Sequence, residues 1–582
     1  MDFCSDHLTP ALQGGSVQLM QLGAIPCWLR IPPRCGPAVI LHVDLQDETS
    51  SPIVDVGYAT YRGIRLAEAG VDQYLGMRYA APPLENLRFR GPQDPRPTSS
   101  VQNATSFGPI CVGVGQAASE TQTEDCLFVN VFKPSNATPA SKLPVWVYIQ
   151  GGGYAENSNA NYNGTDVIEN SGGHHNATHL VRNSGHNLVF VNFNYRVGVL
   201  GFLASEKVKE DGDLNAGLLD QRKVLEWVQK NIIKFGGDPS HVVLHGASAG
   251  GGSVAHHLTA YDGEDKGLFV GAVPESPFWP TQRTVAEMEF QFRRFVNDTG
   301  CSLAEDALHC LRSVALDTIQ AANIDLPFPG GSDDPAPKWY WLPVSTGPGT
   351  LVPDSLYDSF LSGRFIKVPL LVGGDTDEGT YFAANASTQA QVSQFLKNNY
   401  PGLSKAQLDQ INSAYPLTEP FPEHAAYFPS AAAAYGDSTF TCPGNTMAES
   451  MSSFYDSHKV WDYRYNVLDP AILAEGFGVP HTFETSAIFG PGYAGSASES
   501  YYTTNAEIVP VIMSYYISFI RSLNPNTYKY QGSPAWETWG DLGNGRGFRL
   551  KIQTNDTVME EVPQQLADRC SLWREMSRAM EM

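Results

Sequence analysis

The chain predicts an α/β fold, with a central, mostly parallel sheet, helices on both faces and helical insertions roofing one end of the strands. Three observations predict it. Val145-Trp146-Val147-Tyr148-Ile149, Leu188-Val189-Phe190-Val191-Asn192-Phe193 and Val242-Val243-Leu244-His245 are short apolar runs, the pattern of strands buried on both faces. Between the second and third lies an amphipathic segment with Leu218, Leu225, Val228 and Ile232 at offsets of seven, three and four, which is a helical period. Each run ends in turn-forming residues, Gly151-Gly152-Gly153, Asn194-Tyr195-Arg196 and Gly246, as strand-helix-strand units require.

The remaining elements follow the same logic. Residues 1–52 read as an N-terminal extension containing Cys4, Cys27 and Cys35, whose most apolar part, Leu19 to Leu29, lacks the basic, apolar, small order of a secretory leader. An atypical leader or a mis-set upstream start is expected there, and one domain over 53–582. Short β-like runs begin near Val54, and Tyr74 to Pro83 leads into Leu87-Arg88-Phe89. In the second half, Val368 to Val372 ends in Gly373-Gly374-Asp375-Thr376-Asp377-Glu378-Gly379, and Lys459 to Tyr465 precedes Gly478-Val479-Pro480-His481. Helical and loop segments over roughly 280–365 and 385–450 are the expected insertions, with the alanine run 431–434 in a helix.

Composition narrows the function classes. A chain of 582 residues with 42% hydrophobic and 17% charged residues describes an ordered globular protein. A formal charge of −23 with no Lys/Arg run argues against nucleic acid and anionic membrane surfaces, both of which would repel it. No run of eighteen apolar residues predicts a transmembrane helix, so no stable membrane insertion is expected. Export is favoured on two grounds. Seven N-glycosylation sequons occur, at Asn103, Asn136, Asn163, Asn176, Asn297, Asn385 and Asn555, and six of the nine cysteines fall into plausible pairs in the body of the chain. Nothing in the pattern assigns an oligomeric state.

Chemistry concentrates at the strand ends. Gly246-Ala247-Ser248-Ala249-Gly250 is a GxSxG pentapeptide between a strand and a small-residue helix start, the setting in which a serine is held on a strained turn as a nucleophile. The plainer alternative is a glycine-rich turn with an incidental serine. Gly151-Gly152-Gly153 matches an oxyanion loop whose backbone N–H groups approach a developing negative oxygen, with Ala249 N–H as a third donor; a flexible turn is the alternative. Asp375, Asp377 and Glu378 compete as the acid, and spacing does not choose among them or against a solvated acidic loop. Among fourteen histidines, His481 stands out as the base because Gly478, Pro480 and Phe489-Gly490-Pro491 give it a structured turn after a strand. His256 and His257 read as ordinary helix positions, and His424 and His458 lack such a setting. No metal or organic cofactor is needed for this chemistry.

These residues resemble the type-B carboxylesterases of the α/β-hydrolase fold, a family that includes cholinesterases, fungal lipases of the Candida type and neuroligins. The resemblance runs from about residue 53 to the carboxyl end and is nearest to secreted fungal esterases. It is carried by Glu124-Asp125-Cys126-Leu127-Phe128-Val129-Asn130, Asn194 to Gly198, Gly246 to Gly252, Asp377-Glu378-Gly379 and Gly478 to His481 with Phe489-Gly490. It implies Ser248 as nucleophile, Glu378 as triad acid, His481 as base, and an oxyanion hole from the N–H groups of Gly152, Gly153 and Ala249. It also implies disulfides Cys111–Cys126, Cys301–Cys310 and Cys442–Cys570; metal binding is the alternative, and the spacings do not suit it.

Two departures from the family pattern bear on substrate. Ala247 stands where many relatives carry Glu, which removes a buried negative charge near the base and weakens any preference for cationic esters. The segment closed by Cys111 and Cys126 holds only fourteen residues, where lipase relatives use a long flap. Tyr154, Phe278 and Trp279 fall where relatives shape the pocket, with core packing as their alternative role. The expected activity is hydrolysis of small to medium carboxylic esters, small molecules in solution, through an acyl-enzyme. A lipase or sterol esterase, a pathway-specific esterase, or a non-catalytic adhesion protein on the same fold are the alternatives.

Overall fold

Residues 51–156, 163–170, 185–492, 497–541 and 546–582 are described by the computed structural model of the chain; Cys4, Cys27, Cys35 and Asn176 lie outside them. Eleven strands among the described residues form the main sheet: β1 Ile64–Leu66, β2 Val71–Arg78, β3 Phe128–Pro134, β4 Leu143–Ile149, β5 Val189–Phe193, β6 Gly237–Ala247, β7 Gly271–Glu275, β8 Leu370–Asp375, β9 Val460–Tyr465, β10 Phe548–Ile552 and β11 Val558–Glu561. Their spatial order is β11-β10-β9-β8-β7-β6-β4-β5-β3-β2-β1. From β5 to β10 every pairing is parallel, while β1 to β3 and β11 add antiparallel edges.

Both faces are covered, which is why the strands read as unbroken apolar runs. Register places Val242, Val243 and Leu244 of β6 against Val145, Trp146 and Val147 of β4. Alternate side chains then separate into two cores. Val145, Val147, Ile149, Val242 and Leu244 pack with Leu218, Leu225 and Val228 of helix α1 (Ala216–Asn231) and with Val254 and Leu258 of helix α2 (Ala249–Gly263). Trp146, Tyr148 and Val243 pack on the opposite face with Ile512, Tyr516 and Phe519 of the helix Ile508–Ser522. Each such buried aliphatic side chain contributes about 1.5–3 kcal/mol.

The periodic helix is shorter than its apolar stripe: the α-helix stops at Asn231, and Ile232 opens a 3-10 turn over Ile232–Phe235 that closes at Gly236, φ 89°. The alanine run lies in a helix, Phe428–Gly436, that continues through a π-helical turn, Asp437–Thr441, into Cys442–Met451. All three implied disulfides are formed, and Cys442 joins Cys570 of the C-terminal helix across 128 residues. The charged motifs brace the frame. Glu124 grips Arg88 through two bonds of 2.6 and 2.8 Å, Asp125 grips Arg78 at 2.7 Å, and Arg196 is buried against Asp220.

Candidate active site

The sharpest local feature is the turn between β6 and α2. Ser248 has φ 58° and ψ −123°, a conformation that costs of order 1–3 kcal/mol for a residue with a Cβ and is retained where the surroundings enforce it. Neighbouring glycines make the turn possible by clearance rather than by their own backbone angles. A Cβ on Gly246 would strike the Gly250 carbonyl, and one on Gly250 would strike the Ile149 carbonyl. The turn is tied to the next strand, since Ser248 N–H donates to the Glu275 carbonyl at 3.0 Å.

The glycine loop after β4 lies against this serine: a Cβ on Gly151 would come 2.8 Å from Ser248 Cβ and 3.4 Å from Oγ. Gly152 and Gly153 both adopt positive φ, 97° and 62°. Gly153 has a second constraint, because a Cβ there would run into the indole of Trp339. Ala249 is the first residue of α2, so its N–H belongs to the unpaired donors at the helix start.

The candidate acid and base come from the loops after β8 and β9. His481 Nδ1–H donates to Glu378 Oε2, and Glu378 Oε1 accepts the Asp375 backbone N–H at 2.8 Å. Glu378 is therefore the one of the three acidic residues that meets the imidazole. Asp377 instead accepts the Val479 N–H at 2.9 Å and braces the histidine loop, while Asp375 accepts the Phe483 N–H at 3.2 Å. His481 Nε2 is buried and has no hydrogen-bond partner among the described residues, and Ser248 Oγ makes no hydrogen bond to it. Catalytic hydrogen bonds of this kind commonly close only when substrate is bound. Burial holds His256 at a pKa of about 3, as a neutral core residue; His424 stacks on Phe428 and His458 is 73% exposed.

Beneath these residues sits a group of buried carboxyls, of which the sequence had distinguished only Asp375. Glu275, fully buried at the end of β7, is pushed up to about 8 by burial, and burial likewise raises Asp375 and Glu484. Glu275 pairs in register with Ala247, which itself brings no charge.

An aromatic wall completes the site. Phe440 and Phe382 pack on the His481 ring at centroid distances of 4.2 and 5.1 Å, and Phe278 joins Phe440 at 5.6 Å and Trp339 at 5.4 Å. Tyr154 is buried against Phe202 and Phe278. Trp279 packs on Tyr357 and Phe360, the contacts of a core residue. Trp339, Phe382 and Phe440 were not distinguished in the sequence; their only signal is that aromatics cluster in the insertions. The Cys111–Cys126 segment is pinned, with Val114 N–H on the Ala155 carbonyl and Gly115 N–H on the Asn323 carbonyl. No helix among the described residues is long and apolar enough to cross a membrane.

Comparison with known proteins agrees with this geometry. The profile of the Carboxylesterase family matches residues 50–573. Lipase 2 of Geotrichum candidum is 32% identical over 84% of this chain and 90% of its own length, and Secreted lipase 4 of Gibberella zeae is 30% identical over 88% and 89%. The crystal structure of Aspergillus niger EstA superposes with a TM-score of 0.87 at 58% identity, covering 92% of this chain and all of that one. The chain belongs to the carboxylesterase family and is a serine carboxylic-ester hydrolase on the α/β-hydrolase fold.

Proposed function

We propose that Ser248 is the nucleophile, His481 the base and Glu378 the acid of a two-step acyl transfer. Ser248 Oγ attacks the ester carbonyl as His481 Nε2 takes its proton, and Glu378 holds the resulting imidazolium through Nδ1–H. The N–H groups of Gly152, Gly153 and Ala249 receive the oxyanion. His481 then protonates the departing alcohol, and water cleaves the acyl-enzyme by the same route. The observation that carries this reading is His481 bound to Glu378 through Nδ1, with no partner for Nε2 among the described residues.

The substrate we infer is a soluble ester of small to medium size. The aromatic wall at His481 limits the acyl side, with Phe278 and Tyr154 in its lining; the pinned, short Cys111–Cys126 segment leaves little apolar surface to meet a lipid droplet. A lipase is the second reading, favoured by the names of the fungal relatives. A chain-length series of p-nitrophenyl esters with Ser248→Ala as control tests both. The control is expected to lose on the order of 10⁴- to 10⁶-fold in kcat. Near-normal turnover would move the chemistry elsewhere, and an abrupt activity rise above the solubility limit of a triglyceride would favour the lipase.

Export also belongs to this proposal, with 53–582 as the catalytic domain. Several relatives are named secreted lipases. Asn103, Asn136, Asn297, Asn385 and Asn555 are exposed, with Asn385 Oδ1 accepting the Ala425 N–H at 2.7 Å, whereas Asn163 is half-buried, its Oδ1 engaged by the buried Thr165. Peptide mass mapping of secreted protein, with and without glycosidase, tests the assignment.

A further inference from the structure

The acid loop and the base loop meet through two carboxyl groups. Asp375 is the last residue of β8, three before Glu378, and Glu484 lies three after His481. Their carboxyl groups face each other. Asp375 Oδ2 also accepts the Phe483 N–H, and Glu484 Oε1 accepts the Tyr463 hydroxyl at 2.7 Å. One oxygen of each, Asp375 Oδ1 and Glu484 Oε2, is buried and has no hydrogen-bond donor among the described residues. Two ionised carboxylates do not remain in dry contact, because each acceptor lacks a donor and like charges repel in a low dielectric.

The arginines that line the cavity at Asp375 are paired elsewhere, Arg549 with Glu560 and Arg569 with Asp437. Facing the pair are Glu275 from β7, Glu378 from the acid loop, Tyr463 and Tyr465 from β9, Tyr516 from the helix Ile508–Ser522, Tyr501 beside Tyr465, and Tyr381. All of these are neutral or anionic. His481 is engaged by Glu378, and Arg464, on β9, is bound to Glu560 at 2.7 and 2.8 Å and to Thr376 Oγ1 at 2.9 Å.

We propose that Asp375 and Glu484 hold one shared proton, and that this proton clamps the loop carrying Glu378 to the loop carrying His481, making Asp375 a positioning residue of the esterase. The shared proton stands on the buried contacts alone; its effect on turnover rests on the triad reading above. Hydroxide removes the proton as water and leaves two facing carboxylates, which repel and loosen the His481–Glu378 contact. Burial raises Asp375 well above the ordinary carboxyl range and Glu484 to about 8, so the clamp opens in the alkaline range. Access is at hand, since a cavity of about 300 Å³ reaches Asp375 and Glu378 from the side of Asp437, Asp462 and Arg549.

Infrared difference spectroscopy on the whole protein, combined with pH–rate profiles, tests the clamp. Wild type at neutral pH is expected to show the carbonyl stretch of a neutral carboxylic acid that is missing from Asp375→Asn and that fades as pH rises past 8. The Asn amide can donate to Glu484 and has no such proton to lose. Asp375→Asn should therefore lower kcat at neutral pH by no more than about tenfold, leave KM little moved, and lose the alkaline decline of kcat. Identical alkaline limbs in the two proteins, or the same carbonyl band in both, would overturn the proposal. Should Asp375→Asn fail to fold, Glu484→Gln serves in the same two measurements. A full carbonyl difference in a protein whose Ser248→Ala variant stays active would leave the clamp standing and sink the triad reading, so the two failures are distinct.

Discussion

Glu275 Oε2 lies 2.8 Å from Nε2 of His245, and both side chains are fully buried. His245 Nδ1 accepts the Trp146 indole N–H at 3.1 Å, which fixes the proton on Nε2 and makes the imidazole the donor. The other oxygen of Glu275 accepts the Thr485 hydroxyl, four residues after His481. One carboxyl thus joins the strand that leads into Ser248 to the segment that follows His481. Glu275→Ala strands these two donors and is expected to cost about 1–3 kcal/mol, read as a lower denaturation midpoint. Glu275→Gln keeps an acceptor and should recover part of the loss; full stability of the Ala variant would show that the network holds nothing.

The pH dependence of stability follows from burial. Glu275 and Glu484 sit at about 8 and Asp462 at about 7 in the folded protein, all raised by burial from ordinary carboxyl values. The native state therefore binds protons that the unfolded chain has released, and the stability these groups contribute is complete below the unfolded values and lost as pH rises through 7 to 8. His245 and His256 shift the opposite way, down to about 3 by burial, so their contribution is present above 6.5 and lost as pH falls below it. Calorimetry is expected to give a higher Tm at pH 5.5 than at pH 8.5, by the estimate that each shifted group adds about 1.4 kcal/mol per pH unit in its window. A Tm that climbs from the first pH to the second contradicts the account.

Trp339 lies over Gly153, within the aromatic wall. Trp339→Ala should open the acyl side, and each added methylene that fits gains about 0.8 kcal/mol. The kcat/KM ratio for hexanoate over acetate p-nitrophenyl esters is then expected to rise at least about tenfold. An unchanged ratio would remove Trp339 from the acyl side.

Cys442–Cys570 closes a loop of 128 residues and Cys301–Cys310 one of 9. Chain entropy assigns about 5 kcal/mol to the first and about 3 to the second. Replacing each pair with serines and measuring urea midpoints should rank the losses in that order; the reverse ranking would mean that local strain outweighs loop length.

The apolar runs of β4, β5 and β6, the strained serine turn and the glycine loop were legible in the residues themselves, because strand burial and tight turns are set by neighbours in the chain. The site was legible only in part. Asp375, Asp377 and Glu378 are chemically alike and sit within four positions, so local pattern could rank none of them; only the family resemblance pointed to Glu378. Which carboxylate reaches His481 is decided by where β8 places the loop relative to a residue 103 positions away. The same holds for Trp339, Phe382 and Phe440, which come from insertions whose courses depend on packing, and for Asp375 with Glu484, which meet across more than a hundred residues. By itself the sequence determined a parallel-sheet hydrolase with a serine on a strained turn. Tertiary structure alone decided which carboxyl faces His481 and which carboxyls lie buried beneath that pair, because long-range contacts and the loss of solvent that accompanies them exist only once the strands are side by side.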